Sequence, residues 1–284
     1  MTQTLRPYRS VLYIPGSKER ALEKARGLAT DAIIFDLEDA VAPDAKLEAR
    51  ATLRAELDKG GYGNRAKIVR INGFDTDWGK GDVAAMIGAD IDAILMPKVD
   101  SAAQLDDLAA LIPDVDLWAM METPLGMLNA AEIAAHPRLK GFVMGTNDLA
   151  KELNTRFRAD RLPMMGGLHL CLLAAKAHGV VAIDGVYNAF KDADGLKAEC
   201  DQGRDMGFDG KTLIHPAQLD VANAAFAPSE AEVDLARRQI IAFDEAEAAG
   251  QGVAVVDGKI VENLHIVTAK ALLAKADAIA ALEG

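Results

Sequence analysis

Cysteines and long apolar runs are both scarce in this 284-residue chain. The two cysteines, Cys171 and Cys200, are far apart and lack the spacing of a metal-binding pair, so we expect free thiols in a reducing compartment. No apolar run reaches the roughly 20 residues that a membrane span needs. The opening stretch MTQTLRPYRS contains no signal-peptide core. These absences predict a cytoplasmic protein without a membrane partner.

Positive charge is also in short supply. The chain has 31 Lys and Arg residues against 43 Asp and Glu residues, which gives a net charge of −12 at pH 7. This surplus disfavours nucleic acids and anionic membranes as partners, so an anionic ligand would need a local basic patch or a metal ion. Aromatic residues make up only 5%, but hydrophobic residues make up 50%. That is enough for one large core or two small ones.

Several catalytic signatures are missing. No Gly-x-Gly-x-x-Gly follows an apolar run, which argues against a dinucleotide-binding fold. No Gly-x-Ser-x-Gly elbow or Ser-His-Asp order indicates a serine hydrolase. Lys98 and Lys211 stand at the ends of apolar runs, so Schiff-base aldolase chemistry stays an alternative. His215, which precedes Pro216 in a loop, is interpreted as structural.

Eight short apolar runs alternate with amphipathic segments, a pattern typical of parallel strands covered on both faces. We predict a (β/α)8 TIM barrel over residues 1–220, with a doubly wound open sheet as the alternative. Ser17 and Ser101 are expected to cap helices, and Gly179 is expected to end one. The predicted strands are VLYI (11–14), AIIFDL (32–37), KIVRI (67–71), AILM (93–96), LWAMM (117–121), GFVM (141–144), VVAI (180–183) and KTLI (211–214).

The remaining residues, 221–284, predict a C-terminal extension made of a helix, a short hairpin and a last helix. The hairpin is indicated by GVAVVDGKIV, in which Asp257-Gly258 is a turn signal. The extension is too small to be an independent domain. We expect it to cap a barrel mouth, either its own or a neighbour's.

Charged residues recur where the predicted strands end, and these ends converge in a barrel. Glu122 and Asp148 come from neighbouring strands, and two close carboxylates repel unless a cation compensates them. Mg²⁺ with oxygen ligands would do so, whereas either acid alone is more typical of a helix N-cap or a solvated loop residue. Arg70 lies in an apolar strand, so it either forms a salt bridge with Asp36 or Glu38 or holds a substrate oxygen.

Eight motifs in a fixed order identify a family resemblance. They are SVLYIPGSKERALEKA, DAIIFDLEDAVAPDAK, IVRING, MPKV, METPLGM, GTNDLA, IHPAQL and DGKIVEN. Together they resemble the citrate lyase β-subunit-like family of the HpcH/HpaI aldolase-type superfamily, which includes malyl-CoA lyases and malyl-CoA thioesterases. The resemblance implies a (β/α)8 barrel that binds Mg²⁺, with Mn²⁺ as another possible ion, and a CoA thioester. It also implies a homo-trimer or homo-hexamer in which the extension caps a neighbouring subunit.

The same resemblance implies roles for individual residues. Glu122 and Asp148 would bind the metal, and Arg70 would hold the substrate. Three groups of residues would complete the site: Tyr13, Lys18 and Lys24 at CoA; the backbone N–H groups of Gly145, Thr146 and Asn147 at the substrate carboxylate; and Glu38 and Asp39 at metal-bound water. For Lys18 and Lys24, a solvated helix face is the alternative to phosphate binding.

One residue departs from the lyase pattern. The lyases carry an Asp in the C-terminal hairpin that assists the carbon–carbon chemistry in a neighbouring subunit, and the matching residue here is Glu262. Because the side chain is one methylene longer, the resemblance favours hydrolysis of (S)-malyl-CoA, with Glu262 as the catalytic base. Three alternatives remain: a lyase for malyl-CoA, methylmalyl-CoA or citramalyl-CoA, a citrate lyase β chain acting on an acyl carrier protein, and a non-catalytic barrel that binds CoA esters.

Overall fold

The computed structural model describes residues 6–283 and divides the chain into two compact units. The first unit is Tyr8–Phe226, and the second contains the chain from Ala227 onward together with Arg6 and Pro7. Within residues 6–283, no helix is both long and apolar enough to cross a membrane.

Eight parallel strands close into a barrel in the order β1 to β8. Because β1 pairs with both β2 and β8, the open-sheet alternative is wrong and the predicted barrel is confirmed. Every predicted apolar run falls on a strand. The strands are β1 (Ser10–Pro15), β2 (Ala32–Asp36), β3 (Ala66–Arg70), β4 (Ala93–Met96), β5 (Asp116–Met121), β6 (Leu139–Met144), β7 (Val181–Asp184) and β8 (Gly210–Leu213).

Ten helices belong to this described unit, and α10 packs on α9, β1 and β8 as the last of them. Since α10 ends at Phe226, the barrel unit ends there too. Short 3₁₀ turns lie at Pro43–Ala45, Leu162–Met164 and Pro216–Gln218. The helices are α1 (Glu19–Ala25), α2 (Lys46–Lys59), α3 (Gly79–Met86), α4 (Ala102–Leu111), α5 (Pro124–Leu128), α6 (Ala130–Ala134), α7 (Thr146–Glu152), α8 (Met165–His178), α9 (Ala193–Met206) and α10 (Leu219–Phe226).

Strand residues alternate between two cores. On β2, Ile34 faces the barrel interior, whereas Ile33 and Phe35 belong to the layer between strands and helices. Trp118 is a bulky member of the interior cluster. Gly141 on the adjacent strand leaves room for it, because a Cβ there would lie 2.3 Å from the indole ring. The interior is therefore packed, as in barrels whose ligands bind beyond the strand ends.

Two of the three predicted helix boundaries are confirmed. Ser101 forms a capping box at the start of α4, and Gly179 ends α8 with a left-handed backbone at φ +68°. The prediction for Ser17 is wrong: α1 begins at Glu19, and Lys18 occupies the N-cap position without a side-chain cap. The reason is a turn in which the Lys18 N–H donates to Pro15 O at 3.1 Å, which delays the start of the helix.

The second unit has the predicted helix–hairpin–helix order. It consists of α11 (Glu230–Ala248), the antiparallel strands β9 (Ala254–Val256) and β10 (Lys259–Val261), and α12 (Asn263–Glu283). The Asp257-Gly258 turn is confirmed, and both residues have positive φ angles, of 51° and 75°, as a two-residue type I′ hairpin requires. A small core of its own includes Phe243, Val256, Val261 and Ile266.

Candidate active site

A cavity of about 300 Å³ opens at the carboxyl ends of the barrel strands. It brings together most of the residues that the sequence singled out, while Lys18 and Lys24 lie outside it, exposed at either end of α1. Glu38 and Glu122 are not part of the lining, but both interact with residues that are. The lining residues are Tyr13, Asp36, Asp39, Ala40, Arg70, Met120, Met144, Gly145, Thr146, Asn147, Asp148, Val186, Asn188 and Ile214.

Arg70 is the cation at the base of this cavity and is only 6% exposed. Its Nε and Nη2 donate to the two carboxylate oxygens of Asp36 at 2.7 and 2.6 Å. Its guanidinium carbon lies 4.9 Å from the centre of the Tyr13 ring, a cation–π distance. Burial alone would lower the pKa of Arg70, but Asp36, Tyr13 and Glu38 together raise it well above its ordinary value. Arg70 therefore stays charged. Its Nε and Nη2 are bonded to Asp36, and its Nη1 lies nearest to the two acids that follow β2.

Glu38 and Asp39 extend this ion pair at the end of β2. Oε2 of Glu38 lies 2.9 Å from Arg70 Nη1, and Oδ2 of Asp39 lies 3.8 Å from it. Burial raises the pKa of Glu38, with Asp39 adding to the effect and Arg70 opposing it. Within the described residues, the buried Oε2 of Glu38 accepts no hydrogen bond. Both salt-bridge partners expected for Arg70 are thus present, and Oε2 of Glu38 pairs with Nη1 by charge without the geometry of a hydrogen bond.

Glu122 follows β5 and is 1% exposed. Its Oε1 accepts a 2.9 Å hydrogen bond from the Lys98 backbone N–H. Burial raises the pKa of Glu122 to about 8, with the charges of Glu38 and Asp148 adding to the effect and Arg70 opposing it. The positive charge near Glu122 is therefore too weak to offset its burial and the neighbouring acids.

Gly145 makes room for Glu122. A Cβ at Gly145 would lie 2.4 Å from both Cβ and Oε2 of Glu122, so only glycine fits. The expectation for its N–H needs correction, because that group donates to Met121 O at 2.9 Å and is not available to a substrate. Thr146 and Asn147 open α7, where backbone N–H groups have no intrahelical acceptor. The donor role predicted for this loop is therefore left to them.

The donor set at this point fits a hard divalent cation. Glu122 is buried and forms no salt bridge within residues 6–283, and the half-buried Asp148 lines the cavity from the first turn of α7. Residues 6–283 contain no group of three or more His, Cys, Asp or Glu side chains arranged to hold a metal. Mg²⁺ commonly uses one or two carboxylates and completes its octahedron with water and substrate oxygens. Glu122 and Asp148 are thus suited to Mg²⁺ rather than to an ion that needs a full protein cage.

Comparison with known proteins identifies the family of the chain. Residues 9–216 match the family model described as HpcH/HpaI aldolase/citrate lyase. The chain belongs to this family. The family predicted from the eight motifs is therefore confirmed.

Relatives of the chain cover nearly its whole length. It is 71% identical over 281 residues to a (3S)-malyl-CoA thioesterase of Cereibacter sphaeroides, a match that covers 99% of both chains. It is 34% identical to the citrate lyase subunit beta of Leuconostoc mesenteroides, over 95% of this chain and 93% of that protein. A similar solved structure is CitE from Mycobacterium tuberculosis in complex with magnesium, acetoacetate and coenzyme A. Its TM-score is 0.81 at 32% identity, and the match covers 96% of this chain and 100% of that chain.

Schiff-base chemistry, the aldolase alternative, is disfavoured because it needs a neutral lysine. Lys211 is fully buried between Asp184 and Glu199, at 3.0 and 2.6 Å. Burial would lower its pKa, but these carboxylates raise it overall. At Lys98, too, burial lowers the pKa but nearby carboxylates raise it overall. His215 has the structural role expected, because its Nδ1 caps the following turn.

Sequence reasoning missed Asn188. Its amide exchanges two hydrogen bonds with the Asn147 amide, of 2.8 and 3.3 Å, across the cavity edge. Asn188 follows β7 by four positions, so its place beyond a strand end was the available signal. The Lys98 backbone was missed as well: its φ of +49° is a conformation that sequence does not reveal in a lysine.

Proposed function

We propose that the chain is a Mg²⁺-dependent thioesterase that hydrolyses (S)-malyl-CoA to malate and CoA. The observation that carries the proposal is the 71% identity to the Cereibacter sphaeroides thioesterase, which covers 99% of both chains. The citrate lyase β subunits stand at about half that identity. The magnesium and coenzyme A in the CitE complex support Mg²⁺ and a CoA ester here, and we propose that Mn²⁺ can replace Mg²⁺.

The acyl end of the substrate would lie in the 300 Å³ cavity. Glu122 and Asp148 would hold the ion, which when bound supplies positive charge for the malyl carboxylate and hydroxyl. The N–H groups of Thr146 and Asn147 would donate to the same carboxylate. Gly145 would contribute space for Glu122 rather than a hydrogen bond.

The thioester carbonyl would face Arg70. Because Asp36 fixes Nε and Nη2, Nη1 is the nitrogen that can stabilise negative charge on the thioester oxygen, as an oxyanion hole does. Glu38 and Asp39, which flank Nη1, would keep the attacking water in place. Glu262 of a neighbouring copy would take its proton as general base.

The CoA moiety would leave the cavity past Tyr13, which lines it. Lys18 and Lys24 are exposed, and their ammonium groups would bind the CoA phosphates. The two lysines would form the local basic patch that an acidic protein needs to bind an anionic ligand.

Carbon–carbon cleavage of malyl-CoA, methylmalyl-CoA or citramalyl-CoA is the second candidate. It is supported by the 34% identity to citrate lyase β subunits and by electrostatics, since hydrolysis and cleavage both build negative charge on the same thioester oxygen. Under this candidate Arg70 would stabilise the enolate. Action on an acyl carrier protein, as a citrate lyase β chain, and binding of CoA esters without turnover are the two remaining outcomes.

We extend the proposal to a homo-trimer or homo-hexamer in which the second unit caps a neighbour's barrel mouth. Exposed apolar side chains of the hairpin and of the start of α12 would supply the contact surface. They are Val255, Ile260, Leu264 and Val267.

Purified protein with Mg²⁺ and (S)-malyl-CoA tests the proposal when free thiol and glyoxylate are followed separately. Thiol and malate without glyoxylate are expected. Glyoxylate together with acetyl-CoA would replace the thioesterase by the lyase. Absence of every product would leave cleavage of methylmalyl-CoA or citramalyl-CoA, action on a carrier protein, or binding without turnover.

A further inference from the structure

Lys46 is a buried lysine that the reaction described above does not use. It is the first residue of α2 and is 6% exposed. Its Nζ donates to two backbone carbonyls, Leu37 O at 3.0 Å and Glu38 O at 2.7 Å, and lies 5.5 Å from the centre of the Trp78 ring. No carboxylate within residues 6–283 forms a salt bridge with it. A cation buried in this way costs stability, and burial does lower its pKa.

The two carbonyls belong to the loop that carries the site acids. On its other side, this loop is held by Asp36, whose carboxylate accepts the N–H groups of Glu38 and Ala40 at 2.9 and 3.0 Å. Lys46 thus fixes the carbonyls while Asp36 fixes the amides. The peptide unit between Leu37 and Glu38 is therefore held at both its carbonyl and its N–H, which restrains the direction of the Glu38 side chain toward Arg70.

Folding alone does not explain the lysine. Leu37 O also accepts Nδ2 of Asn72 at 2.9 Å, and Glu38 O also accepts the Val41 N–H at 3.0 Å. Both carbonyls would therefore keep a partner if Lys46 were an apolar residue of similar length. Replacing a buried charge by such a residue is often neutral or stabilising.

We propose that Lys46 is a positioning residue that keeps Glu38 against Nη1 of Arg70 for turnover of the thioester. The inference rests on the proposed function for the role given to Glu38, which is to keep the attacking water in place. Lys46 is not part of the lining of the 300 Å³ cavity. It acts through the loop between β2 and α2.

A double-mutant cycle tests the proposal with Lys46→Met, Glu38→Gln and the double variant. Lys46→Met is expected to lower kcat about 10- to 100-fold, because displacing a catalytic group by ~1 Å has an effect of that order. Its KM for malyl-CoA and its melting temperature should stay close to the wild type. In the Glu38→Gln background, Lys46→Met should change kcat less than about 3-fold, since coupled residues are non-additive.

Lys59→Met is the matched control. Lys59 is the last residue of the same helix, is exposed, and pairs with Glu56 and Glu19 rather than with the loop. Its kcat should equal that of the wild type. Equal losses of kcat from Lys46→Met in the wild-type and Glu38→Gln backgrounds would overturn the proposal, and so would a Lys46→Met variant with normal kcat.

Hydrogen exchange supplies a readout that needs no turnover. In Lys46→Met, the amides of Glu38 and Ala40 should exchange faster while the remaining barrel amides do not. Unchanged exchange at these two amides would overturn the positioning role even in an active enzyme. If the wild type turned over no malyl-CoA, the proposed function would fail, while this exchange measurement would still decide what Lys46 holds in place.

Discussion

Replacing Gly145 by alanine tests the geometry of the carboxylate pair with a single methyl group. The added Cβ would lie 2.4 Å from Cβ and Oε2 of Glu122, which is about 1 Å shorter than ordinary contact between heavy atoms. Glu122 has little room to retreat, because it is buried and its Oε1 is bonded to the Lys98 N–H. The start of α7, which carries Asp148, must therefore shift by a similar distance.

The expected consequences are a loss of about 1–3 kcal/mol of stability, as for other overpacked sites, and a fall of about 100-fold in kcat/KM. The apparent affinity for Mg²⁺ should fall too, which a Mg²⁺ titration of activity and of melting temperature would measure. Gly166→Ala is the control, since a Cβ there meets no heavy atom within 4 Å. A Gly145→Ala enzyme with wild-type activity and Mg²⁺ affinity would refute the assignment of Glu122 to the metal site.

Three further predictions follow from the site and its proposed assembly. Inactive Asp148→Asn and inactive Glu262→Ala proteins, when mixed equally and allowed to exchange subunits, should regain roughly a quarter of wild-type activity. About one site in four then combines the intact barrel of a Glu262→Ala chain with the intact hairpin of an Asp148→Asn neighbour. No recovery would mean that both groups act within one chain. Because the pKa of Glu122 is raised, the folded protein in metal-free buffer holds a proton that the unfolded chain releases. The melting temperature of the wild type should therefore fall between about pH 4.5 and 8, relative to that of Glu122→Gln. Parallel plots of melting temperature against pH for the two proteins would contradict the raised pKa of Glu122. Lys18→Ala should raise KM for CoA esters without changing inhibition by free malate, and equal weakening of both would assign Lys18 a structural role.

The barrel was predictable because its strands are buried on both faces and read as apolar runs. Strand β4, for example, is AILM and is buried throughout. The failure at Ser17 has a local cause: a turn closed by Lys18 and Pro15 overrode a favourable capping residue. Such a turn depends on backbone geometry that residue preferences alone do not specify.

The sequence predicted which side chains form the site but not the hydrogen bonds that they make. Arg70, Glu122 and Asp148 stand at strand ends, which topology brings together. The Lys98 N–H that holds Glu122, the amide pair of Asn147 and Asn188, and the lost availability of the Gly145 N–H all arise from loop conformations. These loop conformations are set by tertiary contacts between separate strand ends, so no local sequence pattern predicts them.

Hydrolysis of the thioester by water is the central claim, and isotope labelling tests it most directly. The reaction is run with (S)-malyl-CoA and Mg²⁺ in ¹⁸O-enriched water, and the products are analysed by mass spectrometry. Hydrolysis predicts malate that carries one ¹⁸O in its newly formed carboxylate, together with free CoA. Acetyl-CoA and glyoxylate without labelled malate would contradict it and would assign Arg70 to the enolate of a carbon–carbon lyase.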